Sequence, residues 1–319
     1  MPSTALVSAA SDGTPGNSDS FVGSISADGR FVAFSSGASN LVANKTNSVS
    51  DVFLRDTCAG ATAGCTPSTI RVSVASDGTQ GIASSGCGAI SADGRFVAFC
   101  SDASNLVAND TNGAEDVFVR DTCFNVAGCS PSTVRVSVAS DGTAGNGWSG
   151  NPGISADGRF ITFESDATNL VSNDTNGVRD VFVHDTCIGA PSGCVSGTTR
   201  VSLASDGAQA NNSSEGASLS ADGRYISFVS YATNLVATAD THGGTDAFVR
   251  DTCAGAPAEC VPSTVRASVA SDGTQGNQGA ISAILTADGQ FVVIASYSDN
   301  FVLGDTNNCE DIFLGRTGR

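Results

Sequence analysis

The segment 91–99, Ser-Ala-Asp-Gly-Arg-Phe-Val-Ala-Phe, decides the fold of this chain. Its Asp93-Gly94 pair is a strong hairpin signal, and we expect a type I′ turn with positive φ at both residues. The following run, Phe96 to Phe99, is apolar without polar alternation, which is typical of a strand packed on both faces. The segment therefore predicts a turn and a strand of a sheet that lies between other layers.

The same segment recurs along the chain at nearly constant spacing. Its copies begin at Ser26, Ser91, Ser155, Ser220 and Thr286, so the steps are 65, 64, 65 and 66 residues. A second marker, Ser-Asp-Gly, keeps the same steps from Ser11 to Ser271. Self-similarity at a fixed period is the signature of a repeat architecture. We therefore predict five copies of one unit in a single domain over residues 1–319.

Each unit is predicted to contain four strands rich in Val, Phe and Ile. In the second unit these are Gly88 to Ser91, Phe96 to Phe99, Asp116 to Asp121 and Val134 to Val138. Short four-stranded sheets at regular spacing favour radial packing around an axis. Met1 to Gly13 aligns with Thr66 to Gly78, so we expect the N-terminal segment to complete the last sheet. The predicted fold is all-β: a five-bladed β-propeller of four-stranded antiparallel blades, closed into a ring by that strand.

The unit SADGRFVAF…NLVANDTNG…DVFVRDT resembles the TolB-like (WD40-like) β-propeller repeat over essentially the whole chain. That family includes periplasmic translocation proteins, peptidase propellers and surface proteins. The resemblance therefore implies mainly a binding or scaffolding role for a five-unit, extracytoplasmic member.

Composition limits the partners. The net charge is −17, from 32 acidic and 15 basic residues, and such a surface repels nucleic acid and anionic lipid. No apolar run approaches the ~18 residues of a membrane-spanning helix, so we expect no membrane insertion. The expected partners are a protein or glycan ligand, or copies of this chain.

The cysteines indicate the compartment. Of eleven cysteines, eight form four local pairs in the loops before the fourth strands: Cys58 with Cys65, Cys123 with Cys129, Cys187 with Cys194, and Cys253 with Cys260. Zinc is the alternative, but the Cys-x-x-Cys spacing is absent and the chain has two histidines. Disulfides predict an extracytoplasmic location, whether secreted, periplasmic or on the cell surface.

Three cysteines lie outside these pairs. Cys87 and Cys100 face one another when residues are counted outward from the Asp93-Gly94 turn, which predicts a cross-strand disulfide; two buried thiols are the alternative. We expect Cys309 to be a partly buried free thiol, or to pair between molecules. Met1 directly precedes a strand, so we expect a mature or trimmed form.

An acidic loop before each third strand is a candidate calcium site. Carboxylate, amide and carboxylate at positions one, three and seven resemble the first half of a Ca²⁺ loop. The candidate ligands are Asp110, Asn112 and Asp116; Asp174, Asn176 and Asp180; Asp240 and Asp246, with His242 between them; and Asp305, Asn307 and Asp311. The alternative is an Asx-turn that needs no metal. In the first unit Lys45 replaces the leading Asp, and we expect its ammonium to take the cation's place.

Little in the sequence favours catalysis. The aspartates repeat in every unit, as turn formers do, whereas an acid and a nucleophile need different environments. The glutamates break the repeat but stand in dissimilar places with no common partner, and the predicted first strands carry no carboxylate. His184 and His242 are interpreted as variation within the repeat, and Trp148 either covers a neighbouring blade or anchors a partner. We expect a non-catalytic binding or structural module, with a secreted glycosidase-like enzyme as the alternative.

Overall fold

The computed structural model describes residues 4–318, which form strands and turns and, within that range, no helix. Sheet 1 holds β1 (Ser20–Ile25), β2 (Phe31–Ser36), β3 (Asp51–Asp56) and β4 (Ser68–Arg71). Sheet 2 holds β5 (Ser85–Ile90), β6 (Phe96–Ser101), β7 (Asp116–Asp121) and β8 (Ser132–Arg135). Sheet 3 holds β9 (Ser149–Ile154), β10 (Phe160–Ser165), β11 (Asp180–Asp185) and β12 (Gly197–Arg200). Sheet 4 holds β13 (Ser214–Leu219), β14 (Tyr225–Ser230), β15 (Asp246–Asp251) and β16 (Ser263–Arg266). Sheet 5 holds β17 (Ala280–Leu285), β18 (Phe291–Ser296) and β19 (Asp311–Arg316).

Strands that follow one another in the chain are neighbours within each sheet, and their pairing is antiparallel. The predicted all-β class and the five repeated sheets are therefore confirmed. Sheet 5 has three strands, not four. The strand expected from the N-terminal segment aligns with residues 5–9, but residues 4–10 form no strand and carry only an isolated bridge between Ala9 and Pro15.

The chain divides into two compact units. One consists of residues 1–138 and 144–158, which contain sheets 1 and 2 and β9. The other consists of residues 139–143 and 159–319, which contain β10 to β12 and sheets 4 and 5.

Within each compact unit the core lies between successive sheets, because their second and third strands are apolar on both faces. All of β6 is buried, as its lack of alternation predicts, and the rings of Phe99 and Phe118 stack at 5.6 Å. In the first unit the ring of Phe31 lies under Gly94 of the next sheet, where a Cβ would come within 2.2 Å of it. Gly94 also has a φ of +77°, so both space and backbone require glycine there.

The turn before each second strand differs from the predicted type I′. Gly94 has positive φ but Asp93 does not, and the Gly94 amide bonds to the carbonyl of Ser91. The central residues are therefore Ala92 and Asp93, with glycine as the fourth residue of the turn. The Asp93 carboxylate accepts hydrogen bonds from the Ser91 hydroxyl and the Arg95 amide, which explains why aspartate recurs there.

A serine hydroxyl caps the outer edge of each fourth strand. The Thr69 amide donates to Ser11 Oγ at 2.9 Å, and that hydroxyl lies 3.5 Å from the Thr69 carbonyl. Ser76 with Thr133, Ser140 with Thr198, and Ser205 with Thr264 repeat this pair. The serine of the Ser-Asp-Gly marker therefore satisfies backbone groups that an edge strand otherwise leaves unpaired.

One face of sheet 5 is uncovered. Ile312 and Leu314 of β19 are 68% and 69% exposed. Their equivalents in sheet 1, Val52 and Leu54, are 0% and 3% exposed because β5 of sheet 2 packs there. A face that is buried in the other sheets is therefore exposed in the last.

Candidate functional site

The second acidic loop brings its three predicted ligands together around an arginine. Arg135 Nη1 from β8 lies 3.0 Å from Asp110 Oδ1 and 2.9 Å from Asp116 Oδ2. Asn112 Nδ2 donates to Asp116 Oδ2 at 2.9 Å and to the Gly145 carbonyl. Burial, followed by the charge of Asp116, raises the pKa of Asp110. The guanidinium therefore lies between the two carboxylates, where a metal ion would otherwise balance their charge.

The third loop repeats this arrangement. Arg200 Nη2 lies 2.8 Å from Asp174 Oδ1, and Arg200 Nε lies 3.5 Å from Asp180 Oδ2. The Asn176 amide donates to Asp180 at 2.9 Å. Burial raises the pKa of Asp180.

The fourth loop is held by amide donors. Gln275 Nε2 donates at 2.9 Å to both Asp240 and Asp246, and Arg266 Nε lies 3.1 Å from Asp246 Oδ2. The Gly244 amide donates to His242 Nδ1, so the ring proton belongs on Nε2, which points toward Asp246 at 3.5 Å. With its proton on Nε2, His242 is not oriented as a metal ligand.

The first loop contains a lysine ammonium surrounded by oxygens. Lys45 Nζ lies 2.9 Å from Asp51 Oδ2, 2.6 Å from Asn47 Oδ1 and 2.7 Å from the Val49 carbonyl. These oxygens come from positions three, five and seven of the loop. The ammonium therefore takes the place that the sequence pattern assigns to a cation.

In the fifth loop Asn307 Nδ2 donates to Asp311 Oδ2 at 2.8 Å. Within residues 4–318, no ion pair is found for Asp305 or Asp311. The N-terminal segment that aligns with a fourth strand carries Leu6 where the other units carry arginine.

The sequence did not identify the arginines that contact the acidic loops, and these arginines lie at the ends of the fourth strands. They are Arg71, Arg135, Arg200 and Arg266. Each lies about 20 residues after the third-strand aspartate that it faces, so only their recurrence in the repeat signals the pairing. Loops 1 to 4 fit side-chain cations better than calcium, and calcium binding stays a prediction for loop 5.

At the opposite edge of the sheets, the four loop disulfides are present as predicted. Beside the Cys123–Cys129 bond, Arg95 donates to both oxygens of Asp121 at 2.9 and 2.6 Å. Burial opposes ionisation of Asp121, but the bonds from Arg95 and the Cys123 amide hold its pKa below the usual value. Arg30 with Asp56, Arg159 with Asp185, and Arg224 with Asp251 repeat this pair. This edge is therefore a repeated structural clamp.

The predicted Cys87–Cys100 disulfide is also present, with a different register from the one expected. Cys100 faces Gly86, and a β-bulge at Cys87, whose φ is +56°, brings the Cα atoms to 5.6 Å. Cys309 is a free thiol but is exposed, which corrects the expected partial burial.

The repeat breaks down at one edge of the sheets, where first strands begin, second strands end and third strands begin. We call this the variable edge. Just before the third strand, the units carry Ser50, Glu115, Arg179, Thr245 and Glu310. Hydroxyl, acidic and basic side chains thus replace one another at this place, whereas the disulfide edge stays nearly constant.

In the compact unit that contains residues 159–319, the variable edge gathers three carboxylates around Arg179. Its guanidinium pairs with Asp166 at 2.9 and 3.0 Å and lies 4.0 Å from Glu164, and the charge of Glu215 also acts on it. A cavity of about 330 Å³ is lined by Asp166, Arg179, Ser213 and Glu215. Glu164 and Glu215 therefore share Arg179, although the sequence predicted no common partner for the glutamates. Glu215 also lies on the first strand β13, whereas the first strands were predicted to carry no carboxylate.

In the compact unit of residues 1–138 and 144–158, the variable edge places Glu115 beside Trp148. Trp148 hydrogen-bonds to the Glu115 carboxylate, and both contact the space above Gly150, where a Cβ would lie 2.4 Å from the indole. Burial, then the charge of Asp102, raises the pKa of Glu115. Trp148, which precedes β9 of sheet 3, thus covers a side chain of the neighbouring sheet 2, as one of its two interpretations expected.

His184 is buried at the position where three of the other repeats carry arginine. Its Nδ1 lies 2.8 Å from Thr198 Oγ1, as Arg120 contacts the equivalent Thr133, and its Nε2 lies 3.0 Å from Ser196 Oγ. Burial lowers the pKa of His184. A threonine rather than a carboxylate contacts Nδ1, so the arrangement lacks the acid of a hydrolase triad.

No protein-family model matches the chain, and no curated protein matches it in sequence. Among solved structures, it is similar to prolyl oligopeptidase B from Galerina marginata bound to a macrocyclization substrate, with a TM-score of 0.50, 9% identity, and 97% of this chain and 35% of that chain covered. It is similar to a protein described as TolB from Agrobacterium tumefaciens, with a TM-score of 0.46, 16% identity, and 94% and 83% covered. The chain spans about a third of the oligopeptidase. Its structural neighbours thus include TolB-like and propeller-type proteins, which is a likeness of fold.

Among residues 4–318, no helix is long and apolar enough to cross a membrane.

Proposed function

We propose that this protein is a non-catalytic, extracytoplasmic β-propeller that binds a protein or glycan ligand, or copies of itself, through its variable edge. One observation carries this proposal: side chains that break the repeat gather at that edge, whereas the opposite edge repeats one Arg–Asp–disulfide clamp. Recognition needs an individual arrangement of charge and shape, and a clamp that only stabilises the fold does not. The variable edge is therefore where a ligand is expected.

Two further features support the location and the stabilising devices. Five disulfides join ten of the eleven cysteines, and such bonds persist in oxidising compartments. Calcium at Asp305, Asn307 and Asp311 belongs to this proposal, because two carboxylates there have no arginine to balance them within the described chain.

The proposal includes closure of the five sheets into a five-bladed ring by the N-terminal segment of the same chain. The uncovered Ile312 and Leu314 occupy positions that a following sheet buries elsewhere. Thr4 aligns with Thr69, whose backbone the Ser11 hydroxyl caps, and Ser271 is the equivalent serine for Thr4. Because the N-terminal segment belongs to the same chain as sheet 5, it is present there at the high effective concentration of a tethered segment.

Ligand screening with matched variants tests the binding role. The protein is titrated with soluble oligosaccharides and with basic and acidic peptides, and the fluorescence of its single tryptophan, Trp148, is followed together with the heat released. Binding is expected to weaken in Arg179→Ala and Glu215→Gln and to persist in Asp77→Asn, an exposed turn variant. Binding that survives both edge variants but is lost in Asp77→Asn would overturn the assignment.

A secreted glycosidase-like enzyme is the second candidate, favoured by the carboxylates of Asp166 and Glu215 around one cavity. Glycosidases use two carboxyl groups with different roles. The bidentate ion pair of Asp166 with Arg179 favours binding over catalysis, since it occupies both oxygens of that carboxylate. Hydrolysis of nitrophenyl glycosides that is lost in Glu215→Gln would establish the enzyme instead.

A further inference from the structure

A cavity of about 310 Å³ lies between sheets 3 and 4, at the edge that carries the loop disulfides. Its walls include Arg159 and Phe160 at the start of β10, and Thr252, Ala254 and Gly255 in the loop that follows β15. All of these residues belong to the compact unit that contains residues 159–319. The cavity is distinct from the one beside the variable edge, with which it shares no wall residue.

Between sheets 1 and 2, the equivalent place is filled by a phenylalanine of the chain itself. Phe124 stands at the position of Ala254, directly after the first cysteine of the loop disulfide. Its ring meets that of Phe31 edge to face, with the centroids 4.4 Å apart and the planes at 69°. The Arg30 guanidinium lies 5.1 Å from the Phe124 centroid and 4.9 Å from that of Phe31. Two rings and a guanidinium thus form one cluster between these sheets.

Two of the three members of that cluster are kept in the walls of the cavity. Phe160 takes the place of Phe31, and the Arg159 guanidinium lies 4.7 Å from its centroid, much as Arg30 lies over Phe31. Arg159 is held in this position because it donates to both oxygens of Asp185, at 2.8 and 2.7 Å. The first ring and the guanidinium are therefore already arranged for a second ring.

Two smaller side chains open the cavity. Ala254 ends at its Cβ where the second repeat carries the ring of Phe124. Thr199 on β12, also in the cavity wall, stands where the other fourth strands carry a branched aliphatic residue, namely Ile70, Val134 and Val265. Protein interiors are close-packed, and gaps larger than a water molecule are few. The cavity therefore marks a place where this repeat departs from the packing of the others.

We propose that this cavity binds an aromatic side chain, a phenylalanine or a tyrosine, of a partner peptide. The ring takes the place that Phe124 holds between sheets 1 and 2, edge to face with Phe160 and beside the Arg159 guanidinium. Because the cavity lies at the disulfide edge, this inference stands apart from the ligand proposed for the variable edge.

The chemistry of the walls favours an aromatic ring over other apolar groups. Aromatic rings prefer edge-to-face contact with one another, and a guanidinium within about 6 Å of a ring is attracted to its face. An aliphatic side chain gains neither interaction. Phe124 reaches its place from a loop, so a side chain carried by a peptide backbone has a precedent in this chain. The Arg159 and Asp185 side chains are each 24% exposed, which lets a peptide approach from solvent.

Methyl NMR of the intact protein, labelled at alanine, threonine and isoleucine methyl groups, tests the site. The probe is a capped pentapeptide with one phenylalanine among glycines, and its leucine counterpart is the control. The Ala254 and Thr199 signals are expected to shift with a dissociation constant on the order of 1 mM, as for a fragment of this size, and the Ile70 signal should stay in place. The leucine peptide should bind about fivefold more weakly, because it has no π face for Arg159.

Matched substitutions exchange the packing of the two places. Ala254→Phe supplies the ring from the chain itself and should abolish the shift of the Thr199 signal. Ala254→Ile, which copies Ile188 of the third repeat, is the milder version and should weaken binding. Phe124→Ala removes the ring between sheets 1 and 2, so the Ile70 signal should then respond to the phenylalanine peptide.

The proposal is overturned if the wild-type signals do not move up to roughly 10 mM peptide, which is about ten times the expected dissociation constant. Equal affinities for the two peptides, or a Thr199 shift that persists in Ala254→Phe, would also overturn it. Benzyl alcohol carries the ring without a backbone and is expected to bind more weakly, so tighter binding of this alcohol would contradict the assignment to a peptide. Arg179→Ala should leave peptide binding unchanged, and the dispersion of the methyl signals reports whether each variant is folded.

Discussion

Lys45 Nζ lies 2.9 Å from Asp51 Oδ2, and the two side chains are 1% and 0% exposed. Removing one partner of a buried ion pair leaves an uncompensated charge, although Arg71 stands 3.7 Å from the same oxygen. We expect Lys45→Met to lower the free energy of unfolding by roughly 3 kcal/mol, measured by urea denaturation.

The matched variant Lys45→Asp recreates the pattern of loops 2 and 3. Arg71 is then expected to bridge two carboxylates, as Arg135 bridges Asp110 and Asp116, and to recover part of the lost stability. A Lys45→Asp protein less stable than Lys45→Met would contradict the view that one arginine neutralises each loop.

Calcium titration of chelator-treated protein locates the divalent site. We expect heat from loop 5 alone, because side-chain cations already neutralise the other loops. Asp305→Asn should abolish the heat and Asp110→Asn should leave it unchanged. Absence of any calcium heat, or a loss confined to Asp110→Asn, would remove loop 5 from the proposal.

Ring closure predicts that two equivalent leucines behave alike. Leu54 is 3% exposed and Leu314 is 69% exposed in the structure, yet closure buries both. Leu54→Asp and Leu314→Asp are then each expected to destabilise the protein by roughly 3 kcal/mol, since each places a charge under a neighbouring sheet. Should Leu314→Asp shift the unfolding midpoint negligibly, the face of sheet 5 is open to solvent.

Glu115 predicts a pH-dependent difference in stability. Its pKa in the folded protein is raised by burial and by Asp102 above its ordinary value of 4.5. Stability that depends on the neutral acid is therefore complete below pH 4.5 and is lost as the pH rises through the raised pKa. Glu115→Gln should be more stable than the wild type at pH 8, by less than about 1 kcal/mol because the half-exposed group is screened, and equal to it at pH 4.

Sequence periodicity predicted the parts of the fold that repeat. The third strand of the second unit has the predicted bounds, Asp116 to Asp121, and the loop cysteines pair as expected. A count of facing residues outward from the turn assumes regular pairing, so it could not predict the bulge at Cys87. The extra residue of the bulge changes the pairing of the residues that are farther from the turn. The predicted type I′ turn was wrong. The Asp93 carboxylate accepts a hydrogen bond from Ser91 at the start of the turn, and Gly94 is the fourth residue of the turn instead of a central one.

The candidate functional residues were harder to predict because they are exceptions to the repeat. Glu164 lies on β10 and Arg179 immediately precedes β11, and only the antiparallel pairing of these two strands brings the residues to one edge. The loop arginines were missed for the opposite reason, since their regularity resembles ordinary strand composition. A comparison of equivalent positions across the five units would have found both groups.

The serine caps on the outer strands affect how the protein behaves at high concentration. With Ser11 bound to the backbone of Thr69, a foreign strand must displace a hydroxyl before it can extend the sheet there. Ser76, Ser140 and Ser205 raise the same obstacle on three further sheets. These four edges are thereby protected against the addition of a strand from another copy, whereas β19 of sheet 5 has no such cap on its outer edge among the described residues.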